Sequence, residues 1–298
     1  AGGAVTISST AVLAGGGTIT IDTTNAGAVP AGQNITFSGT LNATTSAIEN
    51  LTLRAGTGGN VTFTGLAGNT TRLGTLTITS ANDVATNGVK AASVTQSSGT
   101  GTTTLNGAAF TTPAETLAVD VSVGGVSITT EDINVNHLLR TAGGNVTLRA
   151  DNDVLFTATG DVTSNNGNVE VTADFDAPVA VGSGALTMAD GTVINAGSGL
   201  IDLNADENIA LGSVQTTSNS ATAVTIDTAE GAVTDAGNLD VDIVANSGTV
   251  VINAVTGIGS ANPLETTIGT LDAQNSGITG NIQVAEVAAG VNIAVKRL

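Results

Sequence analysis

The residues of this sequence with types and spacing suited to chemistry are carboxylates. Asp151 and Asp153, Asp174 and Asp176, the trio Asp202, Asp206 and Glu207, and the pair Asp240 and Asp242 sit close together along the chain. Two carboxyl groups about 5 to 9 Å apart can divide the acid and base roles of glycoside hydrolysis, and clustered carboxylate oxygens also suit a hard cation such as calcium. Little else is on offer. There is no Cys and a single His, His137, so a thiolate metal site, a disulfide framework and the usual Ser-His-Asp relay are all excluded. Sugar sites use aromatic platforms and lyases hold uronate carboxylates with Lys or Arg. This chain has no Trp or Tyr, and its middle offers only Arg140 and Arg149. Polysaccharide cleavage is therefore the lesser reading, and no catalytic residue is assigned. His137, within VNHLLR, reads as a surface or loop residue.

The elements that must position these acids follow from composition. Of 298 residues, 41% are hydrophobic, but the only aromatics are Phe37, Phe63, Phe110, Phe156 and Phe175. The apolar mass is Val, Ile, Leu and Ala, alternating with Thr, Ser and Asn. That is the period of half-buried strands and not the pattern of a disordered chain. An ordered, all-β protein is expected. Lys and Arg number 7 against 25 Asp and Glu, a net charge of −18 that repels nucleic acid. No apolar run reaches the roughly 18 residues of a membrane-spanning helix. The six Asn-x-Thr sequons, at Asn34, Asn42, Asn50, Asn60, Asn69 and Asn145, are expected by accident in a chain so rich in both residues.

Self-comparison finds a repeat. GNVTLRAD from Gly144 returns as GNVEVTAD from Gly167 and, after a longer interval, as GLIDLNAD from Gly199. Within a period the alternating pairs are Val146/Leu148, Val154/Phe156 and then Val162. The next period gives Val169/Val171, Val179/Val181 and Leu186/Met188. Three short strands per coil of roughly 23 residues, stacking on their own next copy, make a parallel β-solenoid. Its core is expected to hold these residues together with Ile201, Leu203, Ile209 and Leu211. One solenoid over residues 1–298 is expected, with looped-out or irregular coils around 108–131 and 189–199. Asp151, Asp153, Asp174 and Asp176 then occupy matching corners of neighbouring coils. They are the best ligands for calcium if a cofactor is held at all, although no EF-hand or GGxGxD pattern is present. The plainer role of these acids is to close turns and hydrate the surface. Thr-x-Thr pairs such as Thr18/Thr20 and Thr62/Thr64 show no recurrence at equivalent positions, so Thr reads as an ordinary outward strand former rather than an ice-binding array.

The coil GNVTLRAD…DVLFTATGDVTSNN resembles the β-helical repeats of filamentous-haemagglutinin-type adhesins and autotransporter passenger regions of bacteria. The stretches Gly74–Gly107 and Gly257–Val284 are similar to parts of very large bacterial surface proteins. The resemblance implies a secreted, right-handed parallel β-helix at the cell surface, serving as a stiff, non-catalytic stalk or filament. A polysaccharide-degrading β-helix enzyme and a calcium-dependent glycan-binding module stand as alternatives. Both ends still alternate like coil strands, AGGAVTISST at one and GVNIAVKRL at the other, so the expected partners are copies of the chain or neighbouring solenoid segments end to end, and surface glycans. Nucleic acid and a membrane span are not expected.

Overall fold

A computed structural model describes residues 2–111, 114–175, 184–288 and 293–297, and every regular element among them is a β-strand. The strands gather into two compact units, residues 1–148 and 149–298.

In the first unit, Val5–Ile7, Ile35–Phe37, Val61–Phe63, Val84–Asn87, Thr102–Asn106 and Asp132–Val135 lie side by side and parallel. A second ladder runs through Thr18–Asp22, Asn50–Arg54, Leu73–Ser80, Val89–Gln96 and Val126–Thr130. The third joins Ala11–Leu13 to Leu41–Ala43, passes through Ala67 to Val89, and continues to Val119–Val121 and Leu139–Thr141. The chain visits the three ladders in turn and comes back to the first one coil later, which is a parallel β-solenoid. Ile35, Val61, Val84, Thr103 and Ile133 occupy one equivalent position in successive coils, so the coils differ in length. The longest of these steps, from Thr103 to Ile133, contains the irregular stretch expected at 108–131. There an antiparallel hairpin of Ala108–Thr111 with Ala114–Leu117 leaves the ladder, and Val119 and Val126 re-enter in register.

The second unit repeats the plan. One ladder holds Val154–Phe156, Leu186–Met188, Ile209–Leu211 and Val233–Asp235. Another holds Val169–Ala173, Ile201–Ala205, Val224–Thr228 and parts of the long strands Ile243–Ala254 and Leu264–Asn275. Val162–Thr163, Val193–Asn195 and Ser213–Gln215, with the starts of those two long strands, form the third. Residues 189–199 are not looped out: Val193–Asn195 pairs in register on both sides. The extra length of the coil between Gly167 and Gly199 lies at 174–185 instead. There the chain runs from Ala173 all the way to Leu186 to pass between two ladders, a step the next coil makes directly from Ala205 to Ile209. Residues 176–183, with the expected core members Val179 and Val181, fall outside the described residues.

The other expected core residues, from Val146 to Leu211, are all buried. Each aliphatic side chain so removed from water contributes about 1.5–3 kcal/mol. Parallel stacking sets each position on itself, and this gives large side chains a place in a narrow core. Phe37 pairs with Phe63 in register, ring centroids 4.9 Å apart and planes within 3°. The same register corrects the reading of the threonines. Thr20, Thr52, Thr77 and Thr95 form one column through successive coils. The gaps between them shrink from each coil to the next, and this hides the recurrence from sequence spacing.

Close stacking also explains the glycine that opens each octapeptide. A Cβ on Gly199 would lie 2.1 Å from the carbonyl oxygen of Gly167, the equivalent glycine one coil earlier. Gly199→Ala should therefore cost about 1–3 kcal/mol by forcing the coils apart, read as a fall in melting temperature. Gly17→Ala, where a Cβ meets nothing within 4 Å, should leave stability nearly unchanged. Equal melting of the two variants would contradict the stacking.

Candidate functional site

Several Asp and Asn residues at coil corners bond to backbone one coil away. Asn34 Oδ1 accepts from the Asn60 N–H at 2.9 Å, Asn60 Oδ1 from Asp83 at 3.2 Å, and Asp83 Oδ1 from Thr102 at 3.0 Å. In the second unit the same service links Asp153 to Ala185 (2.9 Å), Asp161 to Val193 (2.8 Å), Asn168 to Leu200 (2.9 Å) and Asn208 to Ala232 (2.9 Å). These bonds are exposed or only partly buried, and they tie each corner to the coil beside it, so these side chains belong to the fold.

Of the four Asp residues chosen as cation ligands, Asp151 and Asp174 stand beside each other in neighbouring coils, where backbone bonds from Asp174 to Asn152 and from Phe175 to Ala150 bracket Asp151, but no third described carboxylate converges with them. Asp153 is exposed and uses Oδ1 on Ala185, while Asp151 lies half-buried in a bend. Asp174 adopts a left-handed φ of 62°, donates its N–H to Asn152 O at 3.1 Å, and lines an open trough with Asn204, Asp206, Asp227 and Asn253. Asp176 lies outside the described residues. Asp151, Asp153 and Asp174 are not among the described groups whose carboxylate oxygens converge in threes. Of the pairs considered for acid/base work, Asp240 is exposed and Asp242 buried, so they do not act on one face. Asp202 stacks on Glu170, which Arg149 pairs at 2.8 Å. Burial raises the Asp202 pKa, opposed by its Asn204 hydrogen bond and reinforced by Asp227 and Glu170. His137 is a half-buried bend residue whose Nδ1 accepts from the Gly107 N–H at 3.1 Å.

Two charge clusters have no counterpart in the sequence reading. In the first unit the register places Lys90, Asp120 and Arg140 in one column of alternating sign. Arg72 joins them at 2.5 Å from Asp120 Oδ2, and Arg140 Nε lies 3.2 Å from Asp120 Oδ1. Arg140 also holds Glu115 of the hairpin at 2.9 Å, and Lys90 sits 4.3 Å from the centre of the Phe110 ring, again in the hairpin. Two basic side chains, of the 7 in the chain, thus fasten the hairpin to the ladder, and Arg72 braces the Asp120 that stands between them. Burial works against the Asp120 charge, but hydrogen bonds and charge from Arg72 and Arg140 outweigh it and keep the carboxyl below its ordinary range.

The second cluster lies in the second unit and is of one sign. The pairing of Ile243 with Thr266 sets Asp242 directly against Glu265, and Asp235, at the end of its strand, completes a trio in which one oxygen from each carboxylate lies within 4.8 Å of the other two. Among the described residues no Lys or Arg pairs with any of them. Asp242 is 1% exposed. Its burial, opposed by the Glu265 N–H and reinforced by the Asp235 and Glu265 charges and by a carboxyl–carboxyl hydrogen bond with Asp235, pushes its pKa up to about 8. Asp242 and Glu265 stand one regular coil apart, the same interval as Gly144 and Gly167, and that was the signal available for this pair. Asp235 reaches them only through the turn at 236–241. Comparison of the chain with protein-family models, with curated proteins and with solved structures finds no match in any of the three, so its chemistry is read from this geometry alone.

Proposed function

We propose that the chain is a non-catalytic structural segment of a secreted bacterial surface adhesin, filament or surface-layer-like assembly, in which each solenoid unit serves as a stiff spacer. The observation that carries this reading is the way each coil is closed by the next. Strands pair in parallel from coil to coil, Asx side chains cap corner N–H groups one coil on, and an aliphatic core runs inside. Bending such a unit breaks ladder hydrogen bonds and opens the core together, which is what makes a solenoid resist deformation. The resemblance of its coil to bacterial surface β-helices supports an extracellular setting. Right-handed winding, the hand of nearly all parallel crossover connections, fits the same reading.

Association end to end belongs to the proposal. Val5–Ile7, Ala11–Leu13 and Thr18–Asp22 each pair on one side only among the described strands. A ladder edge of this kind accepts a further strand, from adjoining polypeptide or from a second copy. Incubation with a panel of neutral and acidic glycans should give no turnover, and electron microscopy of the concentrated chain should show end-to-end particles. Cleavage of any glycan would overturn the non-catalytic reading, and a monomer stable at high concentration would overturn the association.

A further inference from the structure

We propose that Asp235, Asp242 and Glu265 form a binding site for one divalent cation of the calcium class, seated between two coils of the second unit. Several acids elsewhere in the chain are compensated: Asp120 stands between Lys90 and Arg140, Glu170 is paired by Arg149, and Asp153 and Asp161 each accept a backbone N–H. Asp242 and Glu265 face each other across adjacent parallel strands, where like charges directly opposite destabilise a sheet. Asp242 Oδ2 is used as the corner residues use theirs, accepting the Glu265 N–H at 2.8 Å. Its Oδ1 and Glu265 Oε2 are buried atoms with no hydrogen-bond donor. Two orphaned carboxylate oxygens in one acidic trio are costly unless a cation or a shared proton sits among them, and the three-sided set of oxygens favours the cation.

The geometry suits a hard cation. Ca²⁺ takes oxygen ligands at about 2.3–2.6 Å, so oxygens on opposite sides of the ion are separated by about twice that distance, and the trio lies within a 4.8 Å span. Mg²⁺ demands a tighter, near-octahedral set at about 2.0–2.1 Å. The ligand carboxylates are already oriented: Asp235 Oδ1 accepts the Gly237 N–H at 2.6 Å, and Asp235 Oδ2 accepts from Asn262 Nδ2. Such outer contacts set the aim of the coordinating oxygens. An open depression lined by Asn238, Leu239, Asp240, Val241, Glu265 and Val287 reaches Glu265. It provides an entry path and room for the waters that fill the remaining coordination positions.

Calcium chloride is titrated into the whole chain by calorimetry at near-physiological salt, and melting is followed by circular dichroism in calcium and in chelator. One saturable site per chain is expected. Asp242→Asn and Glu265→Gln should each weaken it at least as much as the roughly 10–100-fold lost with outer-shell partners, whereas Asp153→Asn should not. The melting order should also reverse. In chelator Asp242→Asn melts above the natural protein, because a buried carboxyl whose ionisation burial and its acidic neighbours oppose is gone; in calcium it melts below. Should Asp242→Asn fail to fold, the half-buried Glu265→Gln carries the same comparison. Calcium binding unchanged in both variants would place the ion on the acidic exterior and overturn the proposal. So would a melting temperature indifferent to calcium and raised only by acid, the behaviour of carboxyls sharing a proton.

Discussion

Val171→Asp should lower the stability of the second unit by several kcal/mol, enough to remove its cooperative melting. Val171 is fully buried and in register with Leu203, itself fully buried. A carboxylate there meets aliphatic side chains, with no cation and no donor to receive it, and an ion so placed costs several kcal/mol even after relaxation. The neighbouring residue supplies the control. Glu170 already carries a charge one position earlier, on the outer face and paired with Arg149 at 2.8 Å, so Glu170→Gln should cost less than about 1 kcal/mol. The contrast between adjacent positions is the signature of a period of two. Circular dichroism during heating or urea unfolding measures it, and a Val171→Asp protein with unchanged melting would refute the strand register. Because repeat arrays need not unfold in one step, the comparison is best made on the whole transition rather than on a single midpoint.

Asp120→Ala should cost the first unit about 3–5 kcal/mol, the usual penalty for removing one member of a buried ion network. The loss exceeds that of an exposed pair because Asp120 is 7% exposed and serves both Arg72 and Arg140. Without it, Arg72, Lys90 and Arg140 face one another with Glu115 as the remaining counter-charge in the group. The hairpin that Arg140 and Lys90 hold should loosen as well, making Ala108–Leu117 the first site of proteolytic cleavage in the variant. Acid provides a second check. The folded pKa of Asp120 lies below its ordinary value of 3.8, so its contribution is present above that value and is lost as pH falls through the lower folded pKa. The natural protein should therefore lose its stability advantage over Asp120→Ala on acidification below about pH 4. A constant difference in melting temperature from about pH 6 to about pH 2 would show that the Asp120 charge is not what stabilises the hairpin.

The alternation of Val, Ile and Leu with Thr and Asn, and the glycine-led octapeptides, were sufficient on their own to define an all-β solenoid with three strands per coil and to choose its core around Val146–Leu211. Both signals are local: a strand shows its faces every second residue, and a glycine forced by close stacking recurs wherever coils stack. What spans coils was less legible. Coil length in the first unit changes at every step, so no fixed period brings Thr20, Thr52, Thr77 and Thr95 into one column. The steps from Lys90 to Asp120 and from Asp120 to Arg140 are likewise unequal, because the first of them contains a hairpin whose antiparallel strands resemble any others in sequence. Asp242 and Glu265 are one regular coil apart and were within reach of counting, but Asp235 joins them through a turn. Sequence spacing determined which residues face in or out; only the tertiary register decided which charges meet, because that depends on how much chain each corner absorbs before the next strand begins.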